Sequence, residues 1–359
     1  MIDWITFRAP LTHDESEQGP FFAGYVLSTI PDKSDLGERI EWQVVKRKAL
    51  EGSYSQKIQC RSECTELGKR GIWVSGNPAK WIQGHNLFGS DDIRGLVMEM
   101  LERICASLGI APTAEDRAAW DAGEIDIMRV DVTNSFDLGT LPRVRSALQA
   151  LEMSAQYKYR GRGIFKGDSL IFGKGSRRWS LTFYAKAPEM KLKGHGLNPL
   201  FYLGDRGGQR LDNHALGLLR CEFRFQRMQL KKEHLHYLAY WDHNRPAELF
   251  RRYLAGLEIA DAVMIEPEVL ENLPGRLQAV YQLWADGHDL RRIYAKKTFY
   301  RYRNQLLEHG VDINVKQERR GPDLSNVVPI RTVIELTPAA VPDWAVNTPL
   351  YFEPKRRAG

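Results

Sequence analysis

Two stretches of strict alternation constrain this chain more than any other feature of its sequence. From Ile125 to Thr133 the side chains alternate between an apolar row, Met128, Val130 and Val132, and a polar row, Arg129, Asp131 and Thr133. From Leu218 to Phe225 they do so again, with Leu219, Cys221, Phe223 and Phe225 set against Arg220, Glu222 and Arg224. Successive residues of a strand point to opposite faces, so both segments are expected in a sheet buried on one side. A third strand, Trp179 to Lys186, adds Thr182, Tyr184 and Lys186 on one face and Leu181, Phe183 and Ala185 on the other.

The segments around these strands set the fold class. The first eighty residues read as a meander of short β runs, Trp4 to Phe7, Gly24 to Ser28, Glu41 to Val45 and Gly71 to Val74. Ser90 is expected to cap a helix with Ile93, Leu96, Val97, Met100, Leu101, Ile104 and Leu108 inward, stopped by Gly109. After the strand at 125–133, a helix opens at Pro142, β sequence follows at 157–159, 169–172 and 179–186, and residues 228–257 turn helical. This order predicts an α+β fold, antiparallel sheets with helices on one face in two ferredoxin-like units. Beyond a break near Glu266 to Pro274, three helical stretches at 277–285, 289–295 and 298–308, the last capped by Thr298 and ended by Gly310, have the layout of a helix-turn-helix module. The expected division is 1–265, a catalytic α+β region; 266–315, a helical module; and 316–359, a Pro-punctuated extension packed on the body.

At 359 residues the chain is long enough for a large core, and its net charge of +6 suits a polyanionic partner without demanding one. Cys60, Cys64, Cys105 and Cys221 form no paired Cys-x-x-Cys array, which excludes a zinc-finger site and predicts reduced, buried thiols. Charged residues follow Met1 directly and no apolar run approaches ~20 residues, so neither a signal peptide nor a membrane span is expected, and the expected compartment is the cytoplasm.

If the alternating strands are neighbours, Asp131 and Glu222 offer oxygen donors suited to a hard divalent cation, and their flanking arginines suit phosphate. The same pattern describes a solvated face laced with ion pairs. A tyrosine hydroxyl, with a pKa of about 10, needs a nearby cation before it becomes a nucleophile, and Lys186 on the same face as Tyr184 is the expected source. Exposed Tyr-x-Lys pairs are common on strands, which leaves a plain surface tyrosine open.

Two clusters mix cations with aromatics. Arg160, Arg177 and Arg178, with Lys158, Arg162, Lys166 and Lys174, interleave with Tyr157, Tyr159, Phe165, Phe172 and Trp179, a composition that suits single-stranded nucleic acid. Lys297, Arg301 and Arg303 lie with Arg291, Arg292, Phe299, Tyr300 and Tyr302 where a recognition helix would start. His85, in Gln83-Gly84-His85-Asn86, is a candidate metal ligand or phosphate contact. His234 and His236 are set aside, because their surroundings read as helical and residues two apart on a helix diverge.

Taken in order, these residues resemble the replication initiators of filamentous phages, the gene-two-protein family. The resemblance rests on Met1-Ile2-Asp3, Pro78-Ala79-Lys80, Gln83-Gly84-His85-Asn86, Phe88-Gly89, Arg129-Val130-Asp131, Tyr184-x-Lys186 and Arg220-x-Glu222-x-Arg224. It continues through Thr298 to Tyr302, Gly310, Asn326-Val327-Val328-Pro329 and Pro342-Asp343-Trp344. It implies a rolling-circle initiator of the nickase type: an origin-specific endonuclease that forms a 5′-phosphotyrosine and later rejoins the displaced strand. It further implies Tyr184 as nucleophile with Lys186 beside it, Mg²⁺ or Mn²⁺ held by Asp131, Glu222 and His85, and DNA contacts from Gln83, Arg129, Arg220 and Arg224. The implied partners are the duplex origin, the displaced single strand, and the host helicase and polymerase. Where related nickases carry His-x-His, this sequence reads Gln83-x-His85. The alternative is a non-catalytic origin-binding regulator; an RNA-binding module is disfavoured, since no suitable aromatic signature or Gly-x-x-Gly loop appears.

Overall fold

A computed structural model describes residues 1–12, 47–63, 65–158, 160–192, 194–203, 207–259, 273–285, 288–308, 311–314 and 338–354, with the backbone alone at 25–31 and 38–45. Cys64, Tyr159, Gly310, Asn326-Val327-Val328-Pro329 and the expected boundaries at 265/266 and 315/316 lie outside the described residues. The strands are β1 (Ile2–Pro10), β2 (Tyr25–Pro31), β3 (Glu38–Val45), β4 (Lys48–Glu51), β5 (Lys57–Ser62), β6 (Gly71–Gly76), β7 (Asp126–Asp137), β8 (Ala155–Tyr157), β9 (Gly161–Arg162), β10 (Ile164–Lys166), β11 (Ser169–Phe172), β12 (Trp179–Ala185), β13 (Leu218–Gln226) and β14 (Leu257–Ile259). The helices are α1 (Pro78–Gln83), α2 (Ile93–Leu108), α3 (Ala114–Asp121), α4 (Leu141–Ser154), α5 (Lys186–Met190), α6 (Gly207–Leu216), α7 (Arg227–Lys232), α8 (Arg245–Leu254), α9 (Gly275–Ala285), α10 (Leu290–Ile293) and α11 (Lys296–Leu307).

The fold is α+β with antiparallel sheets, as expected, and most of the strands join in one sheet. One antiparallel sheet of nine strands runs β10-β11-β12-β13-β7-β1-β6-β5-β4. The alternating segments explain why. The apolar rows of β12 and β13, with Ile127, Val130 and Val132 of β7, are buried in the main core with the inward positions of α2 and of α4, Val144, Ala147, Leu148 and Leu151; Met128 of β7 is only half-buried, at a register shift against β1. Phe223 is fully buried among the rings of Trp179, Phe225, Phe250 and Tyr253. Truncating it to alanine would cost on the order of 3–5 kcal/mol.

Local chemistry sets the helix ends. The α2 helix is capped by Asp92, whose carboxylate accepts from Gly95 N–H at 2.9 Å, and not by Ser90, whose hydroxyl instead accepts from Asp92 N–H and donates to Glu353. Gly84 closes α1 with φ +89°, and a Cβ there would strike Tyr54 and Phe201, so only glycine fits.

A second core joins Leu87 and Phe88 to α5, α6 and the C-terminal strap, residues 338–354, with Trp344 edge-on to Phe88. The helical module has its own core of Leu277, Val280, Trp284, Leu290, Phe299 and Leu306. Its last helix starts at Lys296 without a side-chain cap, two residues before the expected Thr298, and the short helix before it spans only Leu290–Ile293. Cys60, Cys105 and Cys221 are buried free thiols, and among the described residues no helix is long and apolar enough to cross a membrane.

Candidate active site

The register of three adjacent strands assembles the polar rows. On β13, Arg220 lies opposite Tyr184 of β12 and Ser135 of β7; Glu222 lies opposite Thr182 and Thr133; Arg224 lies opposite Ser180 and Asp131. Directly opposed residues share a face, so Tyr184, Glu222, Asp131 and their arginines form one cluster. On the far side of β7, a bulge in β1 puts Ile2 opposite Val132 and Trp4 opposite Asp131, leaving Asp3 as the extra residue.

Hydrogen bonds tie the cluster together. Arg129 grips Asp131 through both Nε, at 2.8 Å, and Nη2, while Arg224 Nε donates to the same carboxylate at 3.2 Å. Arg224 Nη2 also donates to Glu222 at 3.3 Å, and the Tyr184 hydroxyl donates to the other Glu222 oxygen at 3.4 Å. Burial, and then the charges of Asp131 and Asp3, push Glu222 far above the usual carboxylate range. Burial and Glu222 raise the Tyr184 hydroxyl well above its ordinary value, with Arg220 pulling the other way.

Three expected members of the site are placed differently. Lys186 lies one residue past the end of β12, where the backbone turns helical, and its ammonium is committed to other partners than Tyr184. Its buried ammonium goes to Asn86 Oδ1 at 3.0 Å and Glu189 Oε2 at 2.7 Å, and burial, then Arg220, lower its pKa to about 8. The ring of His85, expected at the metal, is engaged with backbone. Its Nε2 pairs with the Leu350 carbonyl at 2.8 Å and its Nδ1 accepts from Leu87 N–H at 3.3 Å, so backbone occupies both nitrogens. Gln83, expected at a phosphate, is engaged within the chain: its amide donates to the His85 and Phe88 carbonyls and accepts from Phe352 N–H at 2.9 Å. The Gln-Gly-His block is a clasp for the C-terminal strap.

Two residues absent from the expected site belong to it. Asp3 accepts from Asn77 Nδ2 at 2.9 Å and Asn86 Nδ2 at 2.7 Å and lies 3.8 Å from Arg220 Nη1. Asn86 therefore links Asp3 to Lys186. The available signal was a carboxylate at the third residue of an otherwise apolar strand start. The histidine pair also differs from expectation, because His234 takes φ +57° outside any helix and the His236 carbonyl accepts from Ile127 N–H. Among the described residues, no three His, Cys, Asp or Glu side chains group closely enough to hold a metal; Asp131 and Glu222 remain as the carboxylate pair.

Residues 1–244 match the N-terminal family model of the phage gene-two replication-associated protein, and residues 265–351 match its C-terminal counterpart. Over 351 residues, 97% of this chain and 97% of its relative, it is 34% identical to the gene-two replication-associated protein of Enterobacteria phage I2-2. The chain belongs to the gene-two family of replication-associated proteins. A shorter similarity, 44% identity over 57 residues, links 16% of it to 42% of protein YlbG of Escherichia coli K12. Among solved structures, the rolling circle replication initiator protein from Geobacillus stearothermophilus aligns with 74% of this chain and 88% of its own at 13% identity, with a TM-score of 0.32.

The cationic surfaces of this gene-two-family chain divide into free and committed residues. Arg177 and Arg178 are exposed in the turn before β12, whereas Arg160 lies on the Trp179 ring, 3.9 Å from its centroid, with Nη2 on Ser176. Lys297 and Arg301 are exposed on α11, Arg301 with its guanidinium 5.2 Å from the Tyr302 ring centroid, but Arg303 makes a bidentate pair with Asp312 that closes the module, so the expectation of a DNA contact there is revised. Arg220 is fully buried, which also removes it from the expected phosphate contacts. The hydroxyl of Tyr157 is tied to the Tyr253 carbonyl at 2.7 Å.

Proposed function

We propose that this gene-two-family protein is a rolling-circle replication initiator that nicks one strand of its origin, carries the 5′ end on Tyr184 and later rejoins the displaced strand. The observation that carries this reading is the Tyr184 hydroxyl held against Glu222 in a cluster with Asp131 and Arg224. The origin duplex and the displaced strand are the substrates. Arg177, Arg178, Lys297 and Arg301 are placed to hold their phosphates, and host helicase and polymerase extend the freed 3′ end in the bacterial cytoplasm.

The donor pair that suits a hard divalent cation, Mg²⁺ or Mn²⁺, is Asp131 and Glu222: the charges of Asp131 and Asp3 raise Glu222, a repulsion that a cation relieves. Asp131 and Glu222 would hold it; when bound it supplies charge neutralisation at the scissile phosphodiester. The chain's own residues do the rest. Tyr184 attacks phosphorus in line, its proton passes to the Glu222 carboxylate, and the 3′-oxygen leaves. Arg224, bonded to both carboxylates and partly exposed, is placed to hold a non-bridging phosphate oxygen. The tyrosyl phosphodiester keeps the energy of the original bond, so rejoining needs no nucleotide.

The test is incubation with Mg²⁺ and supercoiled DNA carrying the cognate origin, followed by denaturation and a gel. Open circles with protein on the 5′ end, lost in EDTA and in Tyr184→Phe, are expected. Binding without nicking would instead support a non-catalytic origin-binding regulator.

A further inference from the structure

We propose that Arg220 is the residue that binds the Tyr184 oxygen while that oxygen carries negative charge, in cutting and in rejoining alike, and that it contacts no DNA phosphate. The proposal rests on the reading of Tyr184 as the nucleophile.

Four observations lead to it. Arg220 and Tyr184 face each other across β13 and β12, where side-chain origins are about 4.5–5.5 Å apart. Arg220 is fully buried, unlike Arg224 and Arg129, whose side chains are 42% and 23% exposed, so only the latter two reach a strand lying over the sheet. Its guanidinium is pinned from two sides, Nε donating to Ser135 Oγ at 3.1 Å and Nη2 to the Leu87 carbonyl at 2.8 Å. The third nitrogen, Nη1, is buried without a hydrogen-bond acceptor, 3.8 Å from the Asp3 carboxylate. A buried donor that makes only a long ion pair is under-satisfied in the resting state and gains when an acceptor takes on charge beside it. Burial opposes the charge of Arg220, and Tyr184 and Asp3 restore it.

The chemistry places that charge on one atom. In cutting, the bond from Tyr184 Oη to phosphorus forms as the phosphorus–O3′ bond breaks; the phenolic proton goes to Glu222, and the 3′-oxygen takes a proton from water. Rejoining reverses each step, with the phenolate as leaving group. Neither resting partner, phenol or aryl phosphodiester, carries a full charge on Oη, so a fixed donor there favours the transition state over both. A guanidinium serves because it only donates and stays protonated. Lys186 cannot substitute, since Asn86 and Glu189 already hold its ammonium.

The test uses the full chain and a single-stranded oligonucleotide spanning the nick site mapped with the wild type. Arg220→Lys is expected to slow single-turnover cutting and rejoining by the same factor, about 10²–10³. DNA affinity and its salt dependence are expected to stay unchanged, and 3,5-difluorotyrosine at position 184, a better-ionising phenol, to restore the variant more than the wild type. Should Arg220→Lys fail to fold, Ser135→Ala removes one anchor of the guanidinium and is expected to slow both directions several-fold with binding unchanged. Weaker binding with a log–log salt slope shallower by about 0.7, one phosphate contact on a single strand, would mark Arg220 as a phosphate contact and overturn the proposal. So would folded variants that cut and rejoin at wild-type rates. A wild-type chain that forms no covalent adduct would instead overturn the reading of Tyr184 itself.

Discussion

The hydroxyl of Tyr184 donates to Glu222 Oε2 at 3.4 Å, across a pair of strands that bring together residues 38 positions apart. Removing that hydroxyl leaves the sheet and the arginines in place. Tyr184→Phe is expected to abolish the protein–DNA adduct while changing origin affinity by no more than about threefold, roughly 0.6 kcal/mol. Denaturing gels and filter binding on one preparation check both halves; nicking by the variant would remove Tyr184 from the mechanism.

Asp131 is the shared anchor of Arg129 and Arg224. Its loss leaves a guanidinium without a counter-charge at a largely buried position, so Asp131→Ala should destabilise the fold by on the order of 3 kcal/mol and abolish cutting. Asp131→Asn should cost less stability and still lose cutting. Urea titrations followed by circular dichroism measure the first effect, and an unshifted midpoint would mean that the arginines are held from elsewhere.

His85 makes the fold acid-labile. Burial, against the pull of its Leu350 partner, lowers its pKa from 6.5 to about 3. The folded chain therefore binds fewer protons at this site than the unfolded chain between those values. Stability from this residue is full above pH 6.5 and drains away as pH falls towards 3. Urea midpoints at about pH 7.5 and about pH 5 should differ more for the wild type than for His85→Gln. Equal differences would show that the histidine is not the titrating group.

The two kinds of arginine on α11 separate cleanly in binding data. Lys297→Ala with Arg301→Ala should weaken DNA binding and make the log–log salt slope shallower by up to about 1.8. Arg303→Ala should lower the melting temperature of the helical module, because Asp312 loses its partner, and leave the slope as it was. A slope that moves with Arg303 instead would restore it to the DNA-contact surface.

The sheet was legible because alternation reports on burial one residue at a time. Val130 and Val132 against Asp131 and Thr133 placed a carboxylate on the correct face, and the same arithmetic placed Tyr184 and Glu222, but it missed that Ile127 and not Met128 enters the core, across a register shift against β1. That arithmetic stops where the backbone changes period. Lys186 is one residue past the end of β12, and its ammonium is taken by Asn86 and Glu189. Long-range partners were not legible at all. Neither Gln83 nor His85 carries a local sign that its partner lies in the strap, and a polar residue beside a specific motif reads equally as ligand or as clasp. Asp3 escaped notice because a bulge, which no alternation pattern signals, turns it towards Asn77 and Asn86.

The strap has a consequence for biosynthesis. Phe352 pairs with Gln83 across a separation of 269 residues. At about 5–20 residues per second, a ribosome needs on the order of tens of seconds to make that interval. Throughout it, the Gln83 carbonyl and the His85 ring face an empty seat next to the residues that hold Lys186 and Arg220. A nascent chain of this kind has its tyrosine strand long before it has the piece that braces it. The cluster around Tyr184 thus reaches its final form only once the strap, residues 338–354, has been made.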